Sequence, residues 1–396
     1  MMQISPEIQL FIREHSSDDV RVLALQAKKY PDIDMPTAIT QIAGRKVAAE
    51  KIPSWWEIEK IWYPKHLSLE QCSSEITARY KARLLQGDSL TDLTGGFGID
   101  CSFLATGFKS ATYVERQEEL CEIAAHNFPV LNLNHINIKN EDGVTYLQVM
   151  SPVDCLFLDP ARRNEHGGKT VAISDCEPNV AELEELLLQK ANRVMIKLSP
   201  MLDLSLALKE LKQTQEVHIL SVNNECKELL ILLGQTSPAE ISIHCVNLFT
   251  KGTQKEQHFV FTREQEQCSE CTYTDSLETY LYEPNASLLK AGAFRSIAAA
   301  YPVRKLHPNS HLYTSDTFIE NFPGRIFRIV NQCSFNKKEV KENLADLKKA
   351  NVTVRNFPAT VAELRKRIHL AEGGDTYLFA STLNNGQKVL IRCEKV

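Results

Sequence analysis

The spacing of apolar residues changes near residue 89. Over residues 1–85, apolar positions recur at helical intervals, most clearly in 35–48 and 76–85, which predicts a small helical domain. From residue 89 onward, short apolar runs alternate with helical segments, a pattern typical of a parallel α/β sheet. The sequence therefore predicts a helical N-terminal domain followed by an α/β domain over 86–265.

The α/β domain is predicted to contain one large sheet. Its parallel strands are expected at 89–93, 111–115, 135–138, 153–158, 193–198 and 217–222. A further apolar run, 229–233, follows after a polar link that is too short for a helical crossover, so it is predicted to return antiparallel. Two more strand-like runs, 240–249 and 257–262, are predicted to extend or cover that edge.

A polar, charged segment at 262–276 predicts a domain boundary. Beyond it, 276–323 is predicted as a small linking α/β subdomain with a helix at 287–300. Residues 324–396 are predicted as a compact α/β module. Its strands are expected at 324–330, 352–356, 376–380 and 388–393, and its helices at 337–350 and 360–368.

The composition is that of a globular protein. The 396 residues are 43 % hydrophobic, which allows several buried cores. The sequence has neither an apolar run of the roughly 18 residues that a membrane span needs nor a signal-like N-terminus, so a cytoplasmic location is predicted. Eleven cysteines without framework spacing favour a reducing compartment. The Cys268-Ser269-Glu270-Cys271 segment is predicted to be a plain loop.

Charge is unevenly distributed along the chain. The net charge is −5, which excludes a uniformly basic nucleic-acid-binding surface. Residues 276–396 hold 18 Lys and Arg against 11 Asp and Glu, a net +7, so residues 1–275 hold 27 against 39, a net −12. A basic substrate-binding module attached to a catalytic domain would show this asymmetry, and so would an ordinary solvated surface.

A glycine-rich turn, DLTGGFG from Asp92 to Gly98, follows the first predicted strand. An acid at a strand end, glycines that let a ligand approach the backbone, and then a helix are typical of a nucleotide-binding corner. A dinucleotide and S-adenosylmethionine both fit such a corner. The third glycine of the dinucleotide pattern G-x-G-x-x-G would fall at Cys101, which disfavours a pyrophosphate and favours S-adenosylmethionine.

Acidic residues also follow the next three predicted strands. Glu115 ends the second strand, where a carboxylate can accept hydrogen bonds from both ribose hydroxyls. Asp142 follows the third strand, in position for an adenine amino group, and Asp159 ends the fourth, where the reactive end of the cofactor is expected. Each aspartate alone is most simply a helix cap or turn residue. Acids in register at successive strand ends favour a binding site.

These motifs resemble those of class I S-adenosylmethionine-dependent methyltransferases. The resemblance covers about residues 80–262 and rests on the glycine turn, on Glu115 and Asp142, and on the segment DPAR from Asp159 to Arg162. It implies a Rossmann-like sheet of seven strands, the last one antiparallel. It also implies S-adenosylmethionine as the cofactor and no metal.

A more specific resemblance concerns the end of the chain. Residues 354–358 and 372–379 are similar to the ending of bacterial methyltransferases that carry a C-terminal THUMP-like module. The resemblance implies a ferredoxin-like or THUMP-like α/β region there. Because THUMP domains occur in RNA-modifying enzymes, it also implies RNA as the substrate.

The resemblance assigns roles residue by residue. Cofactor binding is implied for Asp92, Thr94, Gly96, Phe97, Gly98, Glu115, Arg116, Asp142 and Gly143. Catalytic roles are implied for Asp159, which would accept a hydrogen bond from an exocyclic amine, for Pro160, which would keep the turn rigid, and for Arg162. Contacts with substrate are predicted for Arg163, Lys197, Arg355, Arg365 and Arg367. Solvated or structural charges are the alternative for these five.

Arg162 stands where base-amino methyltransferases usually carry an aromatic residue. Arginine can stack on a base or hold a phosphate, so both roles stay open. The same motif also resembles that of uracil-C5 methyltransferases, which require a nucleophilic cysteine after the next strand. Residues 195–200 contain no cysteine, which disfavours a covalent mechanism.

The sequence thus predicts an RNA methyltransferase that transfers a methyl group to a base nitrogen. Two alternatives stay open: a non-catalytic RNA-binding or assembly factor with a methyltransferase fold, and a methyltransferase for a protein or a small molecule. Trp55, Trp56 and Trp62 could stack on unpaired bases, but the neighbouring Ile58 and Ile61 favour packing in a core.

Overall fold

The structure is a computed structural model that describes residues 4–162, 172–236 and 238–396. The chain forms two compact units. The first comprises Met1–Glu216 and Leu229–Pro238, and the second comprises Val217–Glu228 and Ala239–Val396. The predicted domain boundaries within these units stay predictions.

The residues before the first strand are helical, as predicted. The helices are α1 (Pro6–Glu14), α2 (Val20–Leu25), α3 (Met35–Lys51), α4 (Pro53–Trp56), α5 (His66–Gln71) and α6 (Glu75–Ala82). Ser5, Asp19 and Asp34 precede the first three helices, and each side chain accepts a hydrogen bond from a backbone N–H of the first turn. Over the described ranges of the whole chain, every helix is too short or too polar to cross a membrane.

The tryptophans of this region pack mainly in a core, as predicted. Trp55 is buried with Phe97 of the glycine turn, and their ring centroids lie 5.2 Å apart. Trp62 is partly buried and stacks on His126, with a centroid distance of 3.8 Å. Trp56 differs, because it is 42 % exposed. Apolar contacts therefore join the helical region to the glycine turn.

The chain from residue 89 to residue 234 alternates between strands and helices. The strands are β1 (Ser89–Asp92), β2 (Ser110–Glu115), β3 (Ile136–Asn140), β4 (Val153–Leu158), β5 (Ala161–Arg162), β6 (Cys176–Glu177), β7 (Ala191–Leu198), β8 (Thr214–Val222) and β9 (Glu225–Gly234). The helices are α7 (Ile99–Ala105), α8 (Glu118–Val130), α9 (Gly143–Val149), α10 (Val180–Lys190) and α11 (Leu204–Glu210). The hairpin of β8 and β9 is divided between the two units.

The strand order confirms the predicted seven-stranded sheet. It runs β3-β2-β1-β4-β7-β9-β8, and β5 and β6 form a separate pair. The pairs among the first five strands of this order are parallel, and β9 runs antiparallel to β7. The chain reverses at Asn223 and Asn224, whose φ angles of 49° and 67° suit a two-residue hairpin turn. Parallel strands end at one edge of the sheet, so Asp92, Glu115 and Asp159 share that edge.

In the second unit, two strands follow the residues of the hairpin and extend the sheet beside β8. They are β10 (Ser242–Leu248) and β11 (Glu256–Thr262), an antiparallel pair that extends the edge as predicted. The later helices are α12 (Arg263–Cys268), α13 (Ala286–Ala291), α14 (Ser296–Ala300), α15 (Lys337–Leu344) and α16 (Val361–Ile368). The later strands are β12 (Tyr280–Pro284), β13 (Arg304–Lys305), β14 (Tyr313–Ser315), β15 (Gly324–Ser334), β16 (Asn351–Val354), β17 (Thr376–Thr382) and β18 (Lys388–Lys395). These strands form a second sheet in the order β13-β14-β12-β15-β18-β17-β16.

The single helix predicted at 287–300 is wrong, because the structure has two helices there. α13 ends at Ala291, and Gly292 follows with a φ of 78°. This left-handed conformation terminates the helix, and glycine adopts it without a steric penalty. α14 begins only at Ser296. The elements predicted within 324–396 are all present, with shifted bounds.

A substitution at Gly143 tests how tightly α9 packs against the end of β1. A Cβ atom at this position would lie 2.1 Å from the Leu93 carbonyl oxygen, which is backbone and cannot rotate away. We expect Gly143→Ala to lower the free energy of unfolding by about 1–3 kcal/mol, measured by urea denaturation. The matched control is Gly107→Ala, where the nearest atom would be 3.7 Å from the Cβ. A Gly143→Ala protein as stable as this control would contradict the packing argument.

Candidate active site

The glycine turn between β1 and α7 has one packed side and one open side. A Cβ at Gly95 would lie 2.2 Å from the Tyr113 ring, so this glycine is needed for packing. At Gly96, by contrast, the nearest atom to a Cβ would be the Thr94 carbonyl oxygen at 3.8 Å, and the φ angle is 53°. The backbone of Gly96 therefore faces open space that a ligand could enter.

Glu115 and Tyr113 of β2 hold this turn in place. The Glu115 carboxylate is buried and accepts hydrogen bonds from the backbone N–H groups of Gly96, at 2.9 Å, and Gln117, at 2.8 Å. The Tyr113 hydroxyl donates to the Gly96 carbonyl oxygen at 2.5 Å. Glu115 thus lies beside the open side of the turn, where the sequence predicts a ribose-binding acid.

Asp92 is a buried acid at the end of β1. Its Oδ1 accepts a hydrogen bond from the Thr94 N–H at 2.9 Å, whereas its Oδ2 has no hydrogen-bond partner among the described residues. Burial raises the pKa of Asp92 well above its usual range, and the nearby acids Asp100, Asp159 and Glu115 add to the rise. A buried carboxylate oxygen without a donor is suited to receive one from a bound ligand.

Asp142 caps α9. Its Oδ1 accepts hydrogen bonds from the backbone N–H groups of Val144 and Thr145, both at 3.0 Å, and the residue is exposed. The capping role that the sequence offers as the simpler interpretation is therefore present. Contact with an adenine amino group stays a prediction, and the same holds for Gly143, whose place in the structure is explained by packing.

The end of β4 is bonded to the glycine turn. The Asp159 backbone N–H donates to the Thr94 hydroxyl at 2.6 Å. The Asp159 Oδ2 lies 2.5 Å from the Lys197 Nζ at the end of β7, and 36 % of the Asp159 side chain is exposed. Burial raises the pKa of the Asp159 carboxyl, and the Lys197 ammonium opposes this rise. Lys197 therefore fixes the orientation of the acid that the sequence places at the reaction centre.

A buried ion network lies behind this pair. Asp100 Oδ1 lies 2.9 Å from the Nζ of Lys81, a fully buried residue of α6, and Asp100 Oδ2 lies 3.4 Å from the Lys197 Nζ. The Ser73 hydroxyl donates to Asp100 Oδ2 at 2.7 Å. Although burial opposes ionisation, the two lysines lower the pKa of Asp100 to about 2.

Sequence reasoning missed Lys81, Ser73 and the structural role of Asp100. Lys81 had a detectable signal, because it lies on the buried face of α6 with Thr77 and Ala78. A lysine among apolar-face positions needs an anionic partner. Ser73 precedes the helix and carries no such signal.

The remaining predicted residues of this unit have different surroundings. Phe97 packs its ring in the apolar core, so any contact with a cofactor would use its backbone. Arg116 is exposed and pairs with Glu177 at 3.2 Å. Pro160 is buried after β4. Arg162 has its backbone in β5, and Arg163 lies outside the described residues.

Comparisons with known proteins agree with this fold. A ferredoxin-like domain family matches residues 280–323, and a THUMP domain-like family matches residues 324–395. The crystal structure of a protein from Porphyromonas gingivalis W83, provisionally described as a methyltransferase, is 35 % identical with a TM-score of 0.87, and the match covers 98 % of each chain. The chain belongs to this family of class I methyltransferases with a THUMP-like C-terminal domain. Among curated protein sequences, none matches it.

Other solved structures resemble only part of this chain. An rRNA methylase from Streptococcus thermophilus is 15 % identical over 40 % of this chain and 93 % of its own, with a TM-score of 0.29. A Streptococcus mutans protein in complex with SAH, provisionally described as a methyltransferase, is 14 % identical over 40 % of this chain and 96 % of its own, with a TM-score of 0.30. Similarity at this level carries no functional argument.

The predicted RNA-contacting arginines of the THUMP-like region all make contacts within their own unit. Arg355 lies 3.1 Å from the buried Glu283, and Arg365 lies 3.0 Å from Glu372. The Arg367 guanidinium lies 4.2 Å from the centroid of the Phe335 ring. A role of these arginines in binding RNA stays a prediction.

The low pKa of Asp100 predicts a specific loss of stability in acid. The folded-state pKa of about 2 lies below the ordinary value of 3.8, so ionisation of Asp100 stabilises the folded protein above about pH 4. This contribution, on the order of 2 kcal/mol, is lost as the pH falls through the folded-state pKa. We therefore expect the difference in unfolding free energy between wild type and Asp100→Asn to narrow as the pH is lowered from about 5 to about 3.

Urea denaturation at each pH measures this difference. The matched control is Asp88→Asn, because Asp88 is an exposed acid that pairs with the exposed Lys109 at 2.8 Å. The free energy of unfolding of Asp88→Asn should differ little from that of the wild type at every pH. A pH-independent difference for Asp100→Asn would refute the assignment of the low pKa to this residue.

Proposed function

We propose that the protein is an S-adenosylmethionine-dependent methyltransferase that methylates a base nitrogen in RNA by direct transfer. The observation that carries the proposal is the open side of Gly96, whose N–H binds the buried Glu115 carboxylate, together with the buried oxygen of Asp92 at the end of the neighbouring strand, which has no donor among the described residues. Membership in the methyltransferase family supports the same reaction class.

The residues around this opening fit S-adenosylmethionine. A carboxylate has about four lone-pair positions, so Glu115 can accept from ribose hydroxyls in addition to its two backbone donors. Asp92 Oδ2, which has no donor among the described residues, would accept a hydrogen bond from the cofactor. When bound, S-adenosylmethionine would supply an electrophilic methyl group, because breaking its S–CH₃ bond releases a neutral thioether, which is a good leaving group. The protein then has to orient the nucleophile and exclude water.

Asp159 is the residue suited to orient that nucleophile. Its partly exposed carboxylate can accept a hydrogen bond from an exocyclic amine, while Lys197 holds the other side of the carboxylate at 2.5 Å. The ammonium favours the ionised acceptor form and restricts the rotamer. The segment 195–200 has no cysteine, so the proposal includes no covalent intermediate.

RNA is proposed as the substrate because of the C-terminal region. Residues 324–395 match the THUMP domain-like family, and residues 276–396 carry a net charge of +7. A positive region favours a phosphate backbone through sequence-independent, salt-sensitive binding. This part of the proposal does not depend on the cofactor assignment.

Gly96→Asp tests the cofactor site. Aspartate tolerates the left-handed backbone better than most residues, so the fold should persist, but the new side chain would enter the open space. We expect S-adenosylmethionine binding, measured by isothermal titration calorimetry, to weaken by on the order of 100-fold or more, about 2.7 kcal/mol. The matched control is Gly107→Asp at an exposed position. If wild type and Gly96→Asp bind S-adenosylmethionine equally well, the assignment of the cofactor site to Gly96 is wrong.

Asp159→Ala tests the reaction and its substrate. Nucleosides of total RNA would be compared by mass spectrometry between cells with the gene, cells without it, and cells carrying only Asp159→Ala. We expect one methylated base to disappear without the gene and to fall on the order of 100-fold with the variant. A modification pattern that is independent of the gene would refute the RNA methyltransferase. A cellular phenotype that Asp159→Ala fully restores would favour the non-catalytic alternative.

A further inference from the structure

Four charged side chains of the first unit alternate in sign from the helical region to the sheet edge. They are, in spatial order, Lys81 on α6, Asp100 on α7, Lys197 on β7 and Asp159 after β4. The three successive N–O distances are 2.9, 3.4 and 2.5 Å. Lys81 is fully buried, and Lys197 and Asp100 are nearly so. The charges cancel along the row, which lowers the cost of burying them.

Lys197 is shared between two acids. It lies 0.9 Å closer to Asp159 than to Asp100, at 2.5 against 3.4 Å, although both carboxylates are within ion-pair distance. Lys81 already pairs with the Oδ1 of Asp100. The Lys197 ammonium is therefore available for a close ion pair with Asp159. Without Lys81, Asp100 would be a buried anion with Lys197 as its nearest remaining cation in this row.

The Ser73 hydroxyl gives the row its geometry. It donates its hydrogen to Asp100 Oδ2 at 2.7 Å and accepts from Lys81 Nζ at 2.8 Å and from Lys197 Nζ at 3.1 Å. A hydroxyl offers one donor and two acceptor positions, and these three bonds correspond to that capacity. The two ammonium groups are therefore held on one oxygen at defined positions relative to Asp100.

We propose that Lys81 is a positioning residue of the active site, which neutralises Asp100 and thereby leaves Lys197 to hold Asp159. Lys81 touches neither reactant and acts through Asp100 and Lys197. This inference rests on the proposed function only in giving Asp159 a role in the reaction. It also makes the helical region before β1 part of the catalytic apparatus, because α6 supplies the lysine and Ser73 precedes that helix.

The pKa of Asp159 shows whether Lys197 forms its close ion pair with Asp159 or with Asp100. The charged groups that act on Asp159 are Lys197 on β7, Asp100 on α7 and Lys81 on α6, together with Asp92 at the end of β1. Loss of the close ammonium would favour the protonated acid. Lys81 also lowers the pKa of Asp159 directly, so only a displacement of the Asp159 midpoint as large as that in Lys197→Met shows that Lys197 has turned to Asp100.

The experiment is a ¹³C NMR titration of the full-length protein labelled at the aspartate carboxyl carbon, without cofactor or RNA. Asp159→Asn assigns the Asp159 signal. In Lys81→Met we expect the Asp159 titration midpoint to move to higher pH by about one pH unit or more, as in Lys197→Met. In Lys81→Met/Asp100→Asn, which removes one cation and one anion together, the midpoint should return close to that of the wild type.

Lys109→Met is the matched control, because Lys109 is an exposed lysine that pairs with Asp88. It should leave the Asp159 midpoint unchanged. A midpoint in folded Lys81→Met that is unchanged, or displaced less than in Lys197→Met, would overturn the proposal. If Lys81→Met does not fold, Lys81→Met/Asp100→Asn provides the test. An Asp159 midpoint displaced in this double variant as far as in Lys197→Met would also overturn the proposal.

The outcome is independent of the proposed function. The titration contains no cofactor and no RNA, so a failure of S-adenosylmethionine to bind would refute the cofactor site and leave the result on Lys81 standing. Conversely, a wild-type midpoint in Lys81→Met would remove the positioning role and leave the cofactor site intact.

Discussion

The requirement that a buried ammonium has an anionic partner organises the candidate active site of this protein. Lys81 has no exposed surface, and moving an unpaired ammonium into a protein interior costs several kcal/mol. Its partner, Asp100, lies on the helix that follows the glycine turn. The ion pair therefore ties α6 to the turn at which the cofactor is proposed to bind. Apolar contact between Trp55 and Phe97 makes a second connection between the same two regions.

The glycine turn is rigid on the sides that it does not offer to a ligand. Tyr113 fills the space beside Gly95, and the Glu115 carboxylate binds the Gly96 N–H. The Thr94 hydroxyl joins the turn to Asp159 at the end of β4. An arrangement fixed in this way before binding loses little conformational entropy when a ligand binds, which is the advantage of a preorganised site.

Several positive side chains of the C-terminal region form ion pairs with acids of the same region. Arg355 and Arg325 both pair with the buried Glu283, and Arg365 pairs with Glu372. A buried ion pair of this kind mainly satisfies its own members. The net positive charge of residues 276–396 is thus a weaker argument for RNA than the match to the THUMP domain-like family.

The sequence by itself determined where the strands of the first sheet lie along the chain, the antiparallel return of 229–233 and the identity of the glycine turn, because all three follow from local spacing. A link as short as 223–225 permits only an antiparallel return, and glycines after an acid shape a turn wherever they occur. The tertiary structure alone decided the partners of the buried charges. Ser73 and Lys197 are 124 residues apart in sequence but hydrogen-bonded in the fold, and no local pattern encodes such a pairing. The sequence could reveal that Lys81 needs an anion, whereas only packing could select Asp100.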